Sequence, residues 1–262
     1  MQNSFRNSMK SIGRPFWHLL INWKIRKLVK SKNNQKKLLN YKDKHLGESC
    51  FVIGNGPSLN RNDLDLIKNQ YSLASNSIYY LFDKVDWRPT YYFCQDQTVL
   101  EKSRDEISEY LMCEKFIRAT GYNKHRVKKA TYFKIDNKNY KKNKPPEFSF
   151  DANKQIYEGY TVTYSMIQFA IFMGFKKIYL LGVDFNYQIK NGKIEGTSYP
   201  DKRMKDKIGG LPDIEYNYLA YNKALNISED IGIEIINLTR GGKLNVFRRS
   251  NLEDIKLIKE KI

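Results

Sequence analysis

The segment from Val162 to Asp184 constrains the fold more than any other part of the sequence. Residues 162–173 form a mostly apolar run of helical length, and Gly174 follows as the predicted C-terminal cap. Residues 177–184 (KIYLLGVD) then form a continuous apolar run between two charged residues. A strand without polar alternation is typical of a parallel sheet whose two faces are both covered by helices. The segment therefore predicts an α/β fold.

Strand and helix patterns alternate along the rest of the chain. Short apolar runs predict strands at residues 49–53, 71–75, 90–94, 115–119, 131–135 and 233–238. Helices are predicted at residues 63–67, 97–112 and 216–231. This alternation predicts a doubly wound, mostly parallel, Rossmann-like sheet, formed by residues 46–262 as one nucleotide-binding catalytic domain.

Basic charge is concentrated at the start of the chain. The formal net charge is +18, and residues 1–45 carry twelve Lys and Arg against one acid. This asymmetry predicts a basic arm, residues 1–45, attached to a less charged body. The apolar fraction of 41% is enough for a packed core. Three Cys without CxxC spacing argue against a disulfide framework or a zinc site and fit a reducing cytosol.

The basic arm contains a candidate membrane-surface helix. Trp17, Leu20, Ile21 and Trp23 predict an apolar side next to a basic cluster that starts at residue 24. This pattern favours an anionic membrane surface and predicts a cytoplasmic protein held peripherally at the inner face of the cell membrane. Neither a membrane-spanning helix nor a cleavable signal peptide is predicted. Packing of this helix on the body stays an alternative; nucleic acid is disfavoured, because no DNA- or RNA-recognition motif is present.

A glycine-rich turn after the first predicted strand is the strongest candidate binding motif. Within FVIGNGPSL at residues 51–59, the turn consists of Gly54, Asn55, Gly56, Pro57 and Ser58. Glycines let the backbone approach a ligand, and free backbone N–H groups at a helix start favour a phosphate or a carboxylate. The motif is neither a complete dinucleotide fingerprint nor a P-loop, and a plain strand-to-helix turn stays the alternative.

Polar residues follow three other predicted strands, namely Asn76 and Ser77, Gln95 and Asp96, and Asp184 and Asn186. The carboxyl ends of parallel strands meet at one edge of a sheet, so these residues predict a shared nucleotide site there. Asp96 and Asp184 offer carboxylate oxygens to Mg²⁺. Metal independence is nevertheless favoured, because the Asp-x-Asp sequence that starts at Asp63 is predicted to be a helix N-cap with first-turn charge.

Residues 187–210 predict a lid over this site. They are polar and glycine-rich, and they are longer than an ordinary connection between elements. Lys202, Arg203, Lys205 and Lys207 would meet an anionic ligand when such a segment closes. The alternative is a surface insertion whose charges are solvated.

Three strings of residues resemble known enzymes. IGNGPSL at residues 53–59 and FMGFKKIYLLGVDF at residues 172–185 resemble the bacterial CMP-sialic-acid-dependent sialyltransferases. Together with NLTRGGKL at residues 237–244, they resemble a broader family that includes the archaeal 6-hydroxymethylpterin diphosphokinase and the motility-associated factors. The resemblance covers residues 49–248 in scattered motifs, and it implies a fold like that of the A-type glycosyltransferases.

The resemblance implies roles for the matched positions. The nucleotide would contact the glycine-rich turn from Gly54 to Ser58 and also Asn76, Thr161, Thr163, Gly182, Val183 and Asp184. Tyr187 and Tyr199 match two tyrosines that hold the leaving phosphate, a role that suits phenol O–H donors and needs no metal. The implied reaction transfers a sugar, such as a sialic acid-like nonulosonic acid, from a CMP-type donor to a glycan or lipid-linked acceptor, with no further cofactor.

Two departures from the sialyltransferases bear on the chemistry. None of the three histidines matches their histidine base; Tyr216 falls near that place, beside Asp213 and Glu215, and a carboxylate there is the candidate base. Gly159 stands where those enzymes have an arginine, so another acid sugar or another nucleotide stays open. The alternatives are a diphosphokinase-like enzyme that uses ATP and Mg²⁺, and a binding protein without catalysis; no oligomeric state is predicted.

Overall fold

Parallel strands form the central sheet, as the sequence predicts. The computed structural model describes residue 17 and residues 19–136, 143–190, 193–195, 201–207 and 213–257. The strands are β1 (Ser49–Ile53), β2 (Ser72–Ser75), β3 (Tyr91–Cys94), β4 (Glu114–Arg118), β5 (Ala130–Phe133), β6 (Ile135–Asp136), β7 (Ile156–Tyr157), β8 (Lys177–Leu181), β9 (Gln188–Lys190), β10 (Lys193–Glu195), β11 (Glu234–Asn237) and β12 (Arg248–Arg249). Eight of them form one sheet, and the pairs β6–β7 and β9–β10 form two small sheets.

The order of the eight strands is β12-β11-β8-β1-β2-β3-β4-β5, and every neighbouring pair is parallel. From β1 the chain builds outward to β5, whereas β8, β11 and β12 extend the sheet in the other direction. The strand order therefore reverses between β1 and β8. In open α/β sheets, this topological switch point opens a crevice beyond the carboxyl ends of the strands.

Helices cover both faces of the sheet. The helices of the body are α3 (Arg61–Leu66), α4 (Gln97–Tyr110), α5 (Val162–Phe172) and α6 (Ile214–Asp230), with 3₁₀ turns at Asn76–Leu81, Asn123–His125, Lys202–Lys207 and Leu252–Asp254. Successive residues of β1 point to opposite faces, so Phe51 and Ile53 join one apolar cluster with α3 and α4. Cys50 and Val52 join the other cluster, with α5 and α6. The doubly wound fold is confirmed.

The described part of the basic arm lies against the body. Helix α1 (19–29) is followed by α2 (Lys32–Leu39), which Ser31 caps through its hydroxyl. The buried Asn34 amide donates to the Tyr132 carbonyl (2.8 Å) and accepts from the Tyr132 N–H (2.7 Å). Leu38 is fully buried. No helix among the described residues has the length and apolarity needed to cross a membrane.

The bounds of β1 agree with the prediction, and where other element boundaries differ, they do so by one to three residues. The strand predicted to reach Asp184 ends at Leu181, because Gly182 takes a left-handed conformation (φ 68°) that turns the chain out of the sheet. The predicted N-cap at Asp63 is wrong. Asn60 caps α3, and its side chain accepts from the Asp63 N–H at 2.9 Å. Asp63 lies in the first turn of α3, buried beside Arg240.

Candidate functional site

A cavity of about 250 Å³ opens at the switch point of the sheet. Residues that follow the carboxyl ends of β1, β2, β3 and β8 line it, together with the start of α5. Fifteen residues singled out from the sequence are brought together there: Gly54, Asn55, Gly56, Pro57, Asn76, Ser77, Gln95, Asp96, Thr161, Thr163, Gly182, Val183, Asp184, Asn186 and Tyr187. Their contact with a nucleotide stays a prediction.

Three backbone N–H groups of the glycine-rich turn already donate within the protein. The N–H of Gly54 donates to the Leu181 carbonyl (2.8 Å), and that of Gly56 donates to the Gly182 carbonyl (2.9 Å). The Ser58 N–H donates to the Asp184 carboxylate (3.2 Å). These three donors are satisfied within the protein, so they are not available to a phosphate, and contact of the turn with a nucleotide stays a prediction.

Close packing between two backbones explains both glycines of the turn. A Cβ on Gly54 would lie 2.3 Å from the Gly182 carbonyl oxygen. A Cβ on Gly56 would lie 1.9 Å from the Asp184 Oδ2 atom. The glycines therefore serve first to join the turn after β1 to the turn after β8. A substitution at Gly56 changes the fold locally as well as the cavity.

Asp184 joins these two turns through hydrogen bonds. Its carboxylate accepts from the Ser58 hydroxyl (2.8 Å) as well as from the Ser58 N–H, and its carbonyl accepts from the Lys243 N–H (2.7 Å). Burial raises the pKa of the Asp184 carboxyl group, against the opposing effect of the Ser58 hydrogen bonds. Asp184 is thus a structural brace at the cavity wall, and Ser58 does not itself line the cavity.

Three buried polar atoms in this wall have no hydrogen-bond partner, namely Asn55 Oδ1, Ser75 Oγ and Asn76 Oδ1. The orientation of the Asn55 amide is fixed, because its Nδ2 donates to the Ser75 carbonyl at 3.0 Å. A buried polar group without a partner costs free energy, so such groups are rare in folded proteins. All three residues line the cavity, so a polar ligand there is the candidate partner for these atoms.

Two helix N-termini and several hydroxyl groups form the rest of the wall. Asp96 caps α4 by accepting from the N–H groups of Thr98 and Val99. Thr161 caps α5 by accepting from the Thr163 N–H, and its hydroxyl lies 3.4 Å from the Tyr221 hydroxyl. Helix N-termini carry partial positive charge and attract anions.

The charge of the cavity wall contrasts with the charge of the whole chain. Among its lining residues within the described ranges there is no Lys or Arg, and the acids are Asp96 and Asp184. Both carboxylates already accept hydrogen bonds from the protein. The part of the chain that the structure describes contains no group of three His, Cys, Asp or Glu arranged to hold a metal ion. The need for a metal stays open to experiment.

The candidate base residues do not line the described cavity. Asp213 caps α6 by accepting from the Tyr216 N–H (3.0 Å), and Glu215 is exposed in the first turn of that helix. Tyr216 is buried, and burial raises its pKa to about 12, so its neutral phenol is a poor base near neutral pH. Tyr199 lies outside the described residues.

The described end of the predicted lid lies against the body. Arg203 forms an ion pair with Asp201 (2.9 Å) and donates to the Tyr80 carbonyl (2.6 Å), and Lys84 pairs with the same aspartate. The bond from Arg203 holds the pKa of Asp201 well below its usual range. These contacts of Arg203 hold the segment against the body, and the buried Met204 next to it lines the cavity. Closure of the whole segment 187–210 stays a prediction.

Sequence reasoning missed Tyr160, Tyr221 and Met204, which also line the cavity. Tyr160 has a left-handed backbone (φ 56°) directly before the Thr161 cap, and Tyr221 lies on the buried face of α6. A hydrophobic pattern predicts that Tyr221 faces inward, but it does not predict which wall the ring reaches. No local pattern predicts that Met204 lines the cavity, since its position depends on the contacts that Arg203 makes with Asp201 and Tyr80.

The fold and the site define a doubly wound α/β protein with a polar ligand cavity at its topological switch point. The chain belongs to the 6-hydroxymethylpterin diphosphokinase MptE-like family, whose model matches residues 24–190, more than half of the chain. No curated protein sequence matches this chain.

Solved structures share the architecture. The MAf glycosyltransferase from Magnetospirillum magneticum AMB-1 has a TM-score of 0.54 at 13% identity over 87% of this chain, but this chain spans only 40% of that protein's length. The sialyltransferase CstII from Campylobacter jejuni, solved with cytidine-5'-monophosphate, has a TM-score of 0.42 at 17% identity, covering 78% of this chain and 85% of its own. The monofunctional alpha-2,3-sialyltransferase Cst-I from the same organism has a TM-score of 0.43 at 17% identity, covering 77% and 79%. At 13% identity the likeness to the first of these structures shows the fold.

Proposed function

We propose that the protein is a glycosyltransferase that binds a CMP-type sugar donor in the switch-point cavity. The transferred group is a sugar such as a sialic acid-like nonulosonic acid, and the acceptor is a surface glycan or its lipid-linked precursor. The observation that carries the proposal is the set of unpartnered polar atoms on Asn55, Ser75 and Asn76. These atoms lie at the carboxyl ends of β1 and β2, where this fold class binds nucleotides.

The unpaired atoms favour a cytidine nucleoside. A carboxamide oxygen accepts a hydrogen bond, so the oxygens of Asn55 and Asn76 call for donor groups on the ligand. Ribose hydroxyls are such donors, and cytosine adds an amino group where uracil has a carbonyl oxygen. An amino group at this position that meets a carboxamide oxygen supports CMP over UMP and UDP, because the uracil carbonyl oxygen at the same position would leave both acceptors unpaired.

The phosphate would face the hydroxyl side of the cavity. The N-terminus of α5 and the hydroxyls of Thr161, Thr163 and Tyr221 lie there, and Tyr187 lies on the wall that follows β8. In glycosyl transfer, negative charge grows on the departing phosphate as its bond to the sugar breaks. Preorganised N–H and O–H donors stabilise this charge in a site whose described lining has no cationic side chain. Asp213 or Glu215 as the base that takes the acceptor proton stays part of this proposal.

A thermal-shift panel tests the nucleotide. CMP is expected to raise the melting temperature more than UDP or ATP, and EDTA is expected to leave the shift unchanged. At a hundred times its Kd, a ligand that binds only the native state adds about 2.7 kcal/mol of stability. For a chain of this size, that corresponds to roughly 5–10 °C. A shift seen only with ATP and Mg²⁺ would contradict the proposal.

Removing the Asn76 side chain tests the unpaired oxygens. Asn76 has a left-handed backbone (φ 54°), which glycine adopts without strain. Asn76→Gly is therefore expected to fold normally and to weaken CMP binding about tenfold, the loss of about one hydrogen bond. Asn143 is exposed and has a similar conformation (φ 64°), so Asn143→Gly is the matched control and should leave affinity unchanged. Equal CMP affinity for both variants, measured by calorimetry, would remove Asn76 from the site.

Family membership favours a second candidate function, a diphosphokinase-like transfer from ATP. The family model that matches residues 24–190 is described as 6-hydroxymethylpterin diphosphokinase-like. Such a reaction uses Mg²⁺ to neutralise the phosphates. In this cavity Asp96 accepts hydrogen bonds through Oδ1 and Asp184 through both oxygens, so a metal ion would share these carboxylates with the protein's own donors. Incubation with ATP, Mg²⁺ and a hydroxymethylpterin, followed by detection of AMP, tests this candidate.

A further inference from the structure

Within the described residues, helix α1 has apolar side chains on the side that the body covers and others that stay exposed. Ile21, Ile25, Leu28 and Val29 face the body. Leu19 and Trp23 lie on the opposite side and are 67% and 56% exposed, and Trp17, one turn before Ile21 at the start of the helix, is 49% exposed. We call Trp17, Leu19 and Trp23 the tryptophan face. The sequence-based assignment of Ile21 to a lipid-facing side is wrong, because a Cβ on Gly121 would lie 2.7 Å from Ile21 Cδ1.

The charge on helix α1 is of one sign. Lys24, Arg26, Lys27 and Lys30 belong to the same helix or its end, and the Lys27 ammonium lies 5.2 Å from the centre of the Trp23 ring. No acidic residue precedes Asp43 in the chain. Indole rings favour the boundary between lipid headgroups and acyl chains, and lysine and arginine favour anionic headgroups.

The path of the chain places this face at the same edge of the sheet as the cavity. Gly121, which contacts Ile21, follows the carboxyl end of β4, and β4 pairs with the cavity-lining β3. From there the chain passes along β5, where Asn34 bonds to Tyr132, and reaches the edge formed by the amino ends of the strands. At that edge His45 bonds to Tyr91 at the amino end of β3 (2.7 Å). The start of α1 is therefore on the carboxyl side of the sheet.

We infer that the tryptophan face docks the protein on an anionic membrane with the carboxyl edge of the sheet, and hence the cavity, turned toward the bilayer. The indoles and Leu19 enter the headgroup boundary, and the lysines and Arg26 pair with lipid phosphates. A nucleic acid would use the basic residues, but it offers no apolar layer for three large exposed side chains. The choice of a membrane-embedded, lipid-linked acceptor rests on the glycosyltransferase function proposed above; the docking itself does not.

Vesicle flotation with the full chain tests the docking. Binding to vesicles that contain phosphatidylglycerol is expected, with little binding to pure phosphatidylcholine and a decrease as salt rises. The double variant Trp17→Ser, Trp23→Ser is expected to bind about tenfold more weakly or less. Leu66→Ser is the matched control, because Leu66 is 52% exposed on α3 and should not affect flotation. Full binding by the tryptophan variant, or retention by DNA in place of vesicles, would overturn the inference.

Tryptophan fluorescence reports the same contact directly. The chain has three tryptophans, and Trp87 is fully buried, so brominated lipids should quench only Trp17 and Trp23. Trp17→Phe and Trp23→Phe then show the contribution of each ring. Absence of quenching in bound protein would mean that the charges alone hold it and that the tryptophan face does not enter the bilayer.

Two labelled positions test the orientation. Tyr218→Cys places a fluorophore on the exposed start of α6, beside the cavity-lining Phe185. Lys176→Cys places it at the amino end of β8. With Cys113→Ser as background, headgroup quenchers should quench the first label more strongly; equal quenching would refute the orientation. CMP binding by the double tryptophan variant distinguishes the docking from the proposed glycosyltransferase function. Loss of vesicle binding with normal CMP binding would mean that the substitutions affect docking and not the nucleotide site.

Discussion

Replacing Gly54 with alanine is expected to lower the free energy of unfolding by about 3 kcal/mol, the upper end of overpacking costs. The added Cβ would lie 2.3 Å from the oxygen and 2.8 Å from the carbon of the Gly182 carbonyl. Neither backbone can easily retreat, because Ile53 pairs with Leu181 in parallel register and the Gly54 N–H bonds to Leu181. In urea denaturation the midpoint should fall without a change in slope.

Gly241→Ala is the control that separates the steric overlap of the added Cβ from the cost of an unfavourable backbone conformation. Gly241 has a positive φ of 64° with open space around its Cβ position, so Gly241→Ala carries only the conformational cost, about 1 kcal/mol. Gly54→Ala should therefore cost clearly more than Gly241→Ala. Equal losses would mean that the two turns separate freely and that their contact does not hold the switch point together.

Tyr187→Phe is expected to reduce turnover about a hundredfold, with little change in CMP affinity. Tyr187 lines the cavity just after β8, and its ring lies edge-on to Phe185 with ring centres 5.9 Å apart. In the proposed reaction its hydroxyl donates to the phosphate only as charge develops there, so its loss affects the transition state more than the ground state. Single-turnover rates and CMP titration, measured on the same preparations, give the two quantities.

Tyr218→Phe is the control for this variant. Tyr218 also lies near Phe185, at a ring distance of 6.4 Å, but it is exposed and does not line the cavity. The loss of its hydroxyl should leave turnover within about twofold, since surface substitutions have small effects. A Tyr187→Phe enzyme with wild-type turnover would exclude the phenol as the group that stabilises the leaving phosphate.

The strands and their direction could be predicted because their signals are local. Residues 178–181 are apolar at every position, and this run alone indicates a strand covered on both faces. The end of that strand could not be predicted. Val183 is as apolar as the residues before Gly182, and only the left-handed turn at Gly182 decides that the chain leaves the sheet there.

The chemistry of the site was predicted less well than its place. Polar residues after several strands indicated the correct edge of the sheet, since parallel strands share that edge. Spacing in the chain indicates a base among Asp213, Glu215 and Tyr216. In the structure Asp213 caps α6 and Tyr216 is buried, and none of the three lines the cavity. Spacing fixes where a helix begins, but it does not fix which cavity its first turn faces.

The sequence by itself determined a parallel α/β fold and a polar site at its carboxyl edge, because periodicity and strand-end chemistry act over a few residues. Only the tertiary structure decided which polar groups of that site remain available. The Ser58 N–H and hydroxyl are satisfied by Asp184, 126 residues away, whereas Asn55 Oδ1 and Asn76 Oδ1 are left without partners. The hydrogen bonds of a buried group depend on what the fold places beside it, and distant segments of the chain supply those neighbours.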